Sequence, residues 1–209
     1  MRCFIIIIFQ LQSCSVCSRL IFEMFSKFET PKQRNEWVKI RNTKFIEGDE
    51  FKPRVRTETI IDAEKSFVSG LYWATILCTS VALDHLGFRI LNKIYKKKEA
   101  PSALKKFKTI NKMKIIDKYL FSEIKDFINM VRHEIEHKRS LPSVYQAIHQ
   151  YLYMKNEYSY REIEPLTLSK NEFNIFQTKV LQYAALQSLI LYYSVCDAWY
   201  DFLVKRNEE

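Results

Sequence analysis

The chain has 209 residues, enough for one domain with a sizeable core, and its 47% hydrophobic and 27% charged residues are ordinary for a soluble globular protein. Only three Gly and five Pro are present, which argues against sheet-rich and loop-rich folds because these need more turn residues. The composition therefore predicts an all-α protein, and the net charge of +9 indicates an anionic partner, either nucleic acid or an acidic membrane surface.

Residues 1–29 are predicted to form an N-terminal extension, apolar at its start and then a linker, ahead of a single helical domain at 30–209. The apolar run of MRCFIIIIF is about seven residues long, whereas a membrane-spanning helix needs roughly 20, so no membrane span is expected. Because no small-residue cleavage site follows this run, we expect a cytoplasmic protein with reduced thiols. An exported or lipid-anchored protein is the alternative.

The first predicted helix has a capping signal at its start. Thr30 stands at the N-cap, Pro31 at the first helical position and Gln33 at the third, as in a capping box. We expect this helix to run to about Arg41. The following stretch at 45–56, FIEGDEFKPRVR, contains Gly and Pro and is predicted to be a loop.

A long apolar segment follows at 60–96. It contains no Pro and has an apolar residue at every third or fourth position, which predicts a long buried helix or two helices broken near Gly70 or Gly87. The lysine-rich stretch at 96–108 contains Pro101 and is predicted to be a basic linker.

Four more helices are predicted after this linker. A short one is expected at about 111–119, and a second begins at Ser122 and ends before Pro142 because proline cannot continue the hydrogen-bond ladder. A third is expected at about 143–155. The last begins with the capping box SKNE at 169–172 and reaches about residue 205. The predicted architecture is a bundle of four or more helices with additional N- and C-terminal helices.

The helix that begins near Ser122 is amphipathic. At 100° per residue, one stripe is apolar and is expected to face the core: Ile124, Phe127, Ile128, Val131 and Ile135. The opposite face is polar: Asn129, Arg132, His133, Glu136 and His137. Such a face could bind a phosphate or a partner subunit, and an ordinary solvated face is the alternative.

The same helix contains the sequence VRHEIEHK at 131–138, whose H-E-x-x-H pattern is typical of zinc peptidases. His133 and His137 would hold the metal, Glu134 would act as base, and Glu157 would be the third ligand. Three observations count against a zinc metallopeptidase. A charged residue occupies the position before the second histidine, positive residues follow the pattern, and no sheet edge is predicted to hold a peptide substrate.

The same stretch also contains an R-x-x-x-x-H pattern formed by Arg132 and His137. This pattern lies in FSEIKDFINMVRHEIEHK, and the long early helix contains AEKSFVSGLYWATILCTSVALDHLGFRIL. In both segments the chain resembles the HEPN family (higher eukaryotes and prokaryotes nucleotide-binding), over about residues 57–139. One departure is Lys138, where the family commonly has Gly.

The resemblance implies a metal-independent endoribonuclease that acts as a homodimer and needs no cofactor. Arg132 would stabilise charge on the phosphate, and His137 would be the general base or acid. His133 would either orient the phosphate or take the second proton-transfer role. It also implies a toxin–antitoxin or phage-defence setting, with an antitoxin or nucleotidyltransferase partner. A non-catalytic module that binds nucleotide, RNA or protein is the alternative.

Further RNA contacts are expected around this pair. Asn129 could hydrogen-bond beside it, and Lys105, Lys106 and Lys108 could contact phosphates from the basic stretch that precedes the motif. Lysines that only promote solubility are the alternative.

Overall fold

The computed structural model describes residues 28–46, 57–95, 102–131 and 170–208. Within these ranges all regular secondary structure is helical, which confirms the all-α prediction. The six helices described are α1 (Pro31–Ile46), α2 (Glu58–Val68), α3 (Tyr72–Tyr95), α4 (Ala103–Lys112), α5 (Lys118–Met130) and α6 (Lys170–Glu208).

Helix α1 begins with the predicted capping box. The backbone N–H of Thr30 donates to Gln33 Oε1 at 2.9 Å, and the backbone N–H of Gln33 donates to Thr30 Oγ1 at 3.2 Å. The helix continues past the predicted end at Arg41 to Ile46. Most of the loop predicted at 45–56 lies outside the described residues.

The long apolar segment is broken at Gly70, one of the two predicted positions. Gly70 has a φ of +79°, which glycine adopts without steric cost. Its backbone N–H donates to the carbonyl of Phe67 at 3.0 Å, so the end of α2 closes in a tight turn before α3 begins. Gly87 lies inside α3, where a Cβ would stand 3.3 Å from the ring of Phe107, and its small size lets α4 approach closely.

The predictions for 96–119 are wrong in two respects. Residues 103–112 form α4 instead of a linker, because Phe107 and Ile110 are fully buried and their packing stabilises a helix despite its charge. The short helix predicted at 111–119 is replaced by a turn, and α5 begins earlier than predicted. Its N-cap is Asp117, whose Oδ1 accepts from the backbone N–H of Leu120 at 2.7 Å, whereas Ser122 lies inside the helix.

Helix α3 is the centre of the bundle and packs against α2, α4 and α6. Helix α6 also contacts α2 and α5. The core that these helices share is rich in large apolar side chains, including Phe67, Ile76, Leu83, Phe127 and Tyr192. Helix α6 extends past its predicted end near residue 205, while its predicted cap at Ser169 and the helix predicted at 143–155 lie outside the described residues.

Residues Tyr72–Ile94 of α3 are long and apolar enough to cross a membrane by length and composition alone. The central helix of a soluble bundle has the same properties, and 44% of the most apolar window is buried in this one. The expectation that the chain has no membrane span therefore stays a prediction.

Candidate functional site

The motif follows directly after the described part of the bundle. Val131 is the last described residue before it, and Arg132, His133 and His137 lie outside the described residues. Glu134 and Glu157 of the alternative zinc site also lie outside them. Both interpretations of the motif therefore stay predictions, and the structure describes the helix that leads to it.

That helix is α5, and its predicted apolar stripe is buried as far as Val131, whereas Ile135 lies outside the described residues. Ile124, Phe127, Ile128 and Val131 are all less than 5% exposed, at the spacing of one helical face. Burying each such side chain contributes about 1.5–3 kcal/mol, so the rotation of α5 about its axis is strongly determined. This orientation holds up to the residue before Arg132.

Asn129 is the one predicted site residue on α5 that the structure describes. It lies on the side of the helix opposite the apolar stripe, as predicted, and it is half-buried rather than fully exposed. Its proposed hydrogen bond beside the Arg132–His137 pair stays a prediction.

The three lysines predicted to contact RNA lie on α4 in two different environments. Lys105 and Lys108 are exposed, whereas Lys106 is only 3% exposed. Lys106 Nζ donates to Asp84 Oδ1 at 2.8 Å and lies 5.8 Å from the centre of the Phe88 ring, both on α3. The ammonium group of Lys106 is therefore used inside the fold, so this lysine is not available to an RNA phosphate.

The exposed face of α4 is uniformly cationic. Lys105, Lys108 and Lys112 recur at i, i+3 and i+7, so they share one face, and all three are exposed. We call these three residues the lysine strip. Lys112 was not predicted as a site residue, because its spacing from Lys108 places the two on one face only once 103–112 is known to be a helix.

A second group of polar side chains is buried where α1, α2 and α6 meet. The Tyr193 hydroxyl donates to Glu64 Oε1 at 2.6 Å and lies 3.4 Å from Asn42 Oδ1. The guanidinium of Arg41 lies 5.7 Å from the centre of the Tyr193 ring and 3.8 Å from a carboxylate oxygen of Asp197. The sequence did not predict this cluster, which we call the Tyr193 junction. The polar groups of the junction contact one another, so we assign the junction a role in stabilising the fold.

Among the described residues, no group of three or more His, Cys, Asp or Glu side chains is arranged to hold a metal ion. Cys196 is fully buried, and this burial raises the pKa of its thiol well above the usual value, so the thiol stays protonated at neutral pH.

No protein-family model, curated protein or solved structure matches this chain. The resemblance to the HEPN family therefore rests on the R-x4-H pattern and its helical context.

Proposed function

We propose that the protein is a metal-independent endoribonuclease of the HEPN type, in which Arg132 and His137 act on the RNA phosphate. One observation carries the proposal. The R-x4-H pattern begins directly after α5, a helix whose apolar stripe is buried in an all-helical bundle up to Val131. The exposed lysines of the neighbouring helix α4 support an anionic substrate.

The proposed chemistry needs only groups that the chain itself supplies. RNA contains its own nucleophile, the 2′-hydroxyl. His137 would accept the proton of this hydroxyl as its oxygen attacks phosphorus. Arg132 would stabilise the charge that develops on the phosphate oxygens, and His133 would donate a proton to the departing 5′-oxygen. The products are a 2′,3′-cyclic phosphate and a free 5′-hydroxyl.

The other parts of the proposal follow from the resemblance alone. They are a homodimer that brings two motifs together, and a toxin or phage-defence role with an antitoxin or nucleotidyltransferase partner. The proposed cytoplasmic location comes instead from the N-terminal sequence, which lacks a small-residue cleavage site. Light scattering on the purified protein tests the dimer directly.

The test of the activity is an RNA-cleavage assay with excess EDTA. We expect the wild-type protein to cut, and Arg132→Ala or His137→Ala to reduce the rate by at least about 10²–10⁴-fold, the usual contribution of a general acid or base. His85→Ala is the matched control, because His85 is an exposed histidine on α3, and this variant should cut at the wild-type rate.

Other outcomes identify the alternatives. Loss of activity with EDTA, together with stoichiometric zinc in the purified protein, would contradict the proposal and favour a peptidase using His133, Glu134, His137 and Glu157. RNA binding without cleavage, unchanged in the His137→Ala variant, would favour a non-catalytic binding module.

A further inference from the structure

The lysine strip lies directly opposite the face of α4 that is buried in the core. Phe107 and Ile110 are 0% exposed on one side of the helix, and the three ammonium groups project from the other. The sequence of α4, ALKKFKTINK, contains no acidic residue, and none of the described residues forms an ion pair with the strip. Within the part of the chain that the structure describes, the strip is therefore a positive surface without an acidic partner.

The orientation of the strip is fixed by α3. Lys106 is adjacent in sequence to Lys105, yet its Nζ is held at 2.8 Å from Asp84 Oδ1 and 3.4 Å from the backbone carbonyl of the same residue. Gly87, one turn further along α3, lets the ring of Phe107 lie close to the backbone. These contacts set the rotation of α4 about its axis, with the strip on the side away from α3.

The charge pattern of the strip does not favour the helix itself. Lys105 and Lys108 are three residues apart and Lys108 and Lys112 four apart, so each pair of like charges repels on the helix surface. Lys105 lies in the first turn, where the helix dipole disfavours a cation, whereas Lys112 lies in the last turn, where the dipole favours one, so these two effects offset each other. Because the two like-charge pairs repel and the described residues provide no ion pair for the strip, we infer that a bound anion would stabilise it.

The location of the strip indicates which class of anion it would bind. Helices α4 and α5 are joined by the short turn at 113–117 and pack against each other, and α5 leads directly into Arg132. A nucleic-acid strand that reaches the motif could thus lie along α4. An acidic membrane is a poorer fit, because a helix that binds a membrane surface inserts an exposed apolar face, whereas α4 buries its apolar face in the core.

We propose that the lysine strip binds the sugar–phosphate backbone of single-stranded RNA and holds the substrate beside the motif. This inference rests on the proposed function only in taking RNA as the substrate. Lysine contacts to phosphates are independent of sequence, so the strip would contribute affinity and not base preference.

The test measures binding without cleavage, by fluorescence anisotropy of a labelled single-stranded RNA of mixed sequence. Every protein carries His137→Ala so that the RNA stays intact. The strip variant adds K105Q, K108Q and K112Q. The matched control adds K32Q, K65Q and K205Q, which removes the same charge from exposed lysines on α1, α2 and α6.

We expect the strip variant to bind about 10- to 100-fold more weakly than its parent at 0.1 M salt, because three phosphate contacts are lost. The slope of log K against log salt should become shallower by about 2, since each contact to a single strand contributes about 0.7. The control variant should keep the parent's slope and lose less than about threefold in affinity.

Three results would overturn the inference: equal losses in the two variants, an unchanged slope in the strip variant, or absence of RNA binding by the parent. Loss of binding to vesicles rich in phosphatidylserine, without loss of RNA binding, would instead assign the strip to a membrane. The EDTA assay tests the nuclease proposal separately from the proposal for the strip. If the wild-type protein cleaves RNA and the strip variant binds RNA normally, only the proposal for the strip is contradicted. If RNA binding depends on the strip but the wild-type protein does not cleave, only the nuclease proposal is contradicted.

Discussion

The Tyr193 junction and the lysine strip place charge in opposite settings. At the junction, Glu64 and Asn42 are less than 5% exposed, and both lie within reach of the Tyr193 hydroxyl. On the strip, three lysines share one solvent-facing surface and α4 supplies no acid. Polar groups in the core are partnered because burying them unpaired is costly. Among the residues that the structure describes, the charges of the strip have no ion-pair partner, and this difference is what points to a ligand.

Lys106 belongs to the same helix as the strip but behaves like the residues of the junction. Its side chain is buried and paired with Asp84, whose own side chain is 40% exposed. The comparison therefore predicts that removing a charged or polar group lowers stability by different amounts at three places. These are the Lys106–Asp84 pair, the Tyr193 junction and the strip.

The largest effect on stability is expected at the Lys106–Asp84 pair. Asp84→Asn should lower the free energy of unfolding by about 3 kcal/mol, because it leaves the buried ammonium group without its counter-ion. Lys106→Met should cost about 1 kcal/mol, since the half-exposed carboxylate of Asp84 can be hydrated by water. Urea unfolding measures both. Equal costs would show that burial of the ammonium group does not govern this pair.

An intermediate effect is expected at the Tyr193 junction. Tyr193→Phe removes the hydroxyl that donates to Glu64 at 2.6 Å and should cost about 1–3 kcal/mol, the usual penalty when a buried acceptor loses its donor. Tyr119→Phe is the control, because Tyr119 is 61% exposed and its hydroxyl can be replaced by water. A thermal unfolding scan of both variants checks the difference, and matching shifts would contradict a structural role for the junction.

The smallest effect on stability is expected on the strip. Replacing Lys105, Lys108 and Lys112 with Gln removes two repelling pairs, each worth about 0.2–0.5 kcal/mol, so stability should stay the same or rise slightly. The measurement is the urea midpoint at low and high salt, because salt screens the repulsion and should reduce the gain. A clear loss of stability would mean that these lysines serve the fold, and it would weaken the case for a ligand.

Much of the fold follows from local signals in the chain. The reciprocal bonds between Thr30 and Gln33, the break at Gly70 and the buried stripe of α5 were all predicted correctly. In each case the determining interaction spans only a few residues, or the apolar spacing repeats often enough to identify one helical face. The proposed pair of Arg132 and His137 likewise depends on spacing within one helix, and it stays a prediction.

The predictions failed where a distant part of the chain decides the outcome. Pro101 and the dense lysines made 96–108 look like a linker, yet packing of Phe107 and Ile110 against the rest of the bundle stabilises α4. The start of α5 was missed for a different reason: Asp117 provides a local N-cap by accepting from the backbone N–H of Leu120, and this signal was passed over in favour of Ser122. Local charge and capping preferences are each worth about 1 kcal/mol, which tertiary packing readily exceeds.

The sequence by itself determined that this protein is helical, basic and equipped with a histidine–arginine pattern next to an amphipathic stripe, since composition and periodicity need no knowledge of neighbours. Only the tertiary structure decided which lysines of α4 remain available. Lys105, Lys106 and Lys108 have identical chemistry, and just one of them is turned toward Asp84 and the close approach at Gly87. Lys106 meets α3 and is held in the core, whereas Lys105 and Lys108 face away from α3 and remain accessible to solvent or a ligand.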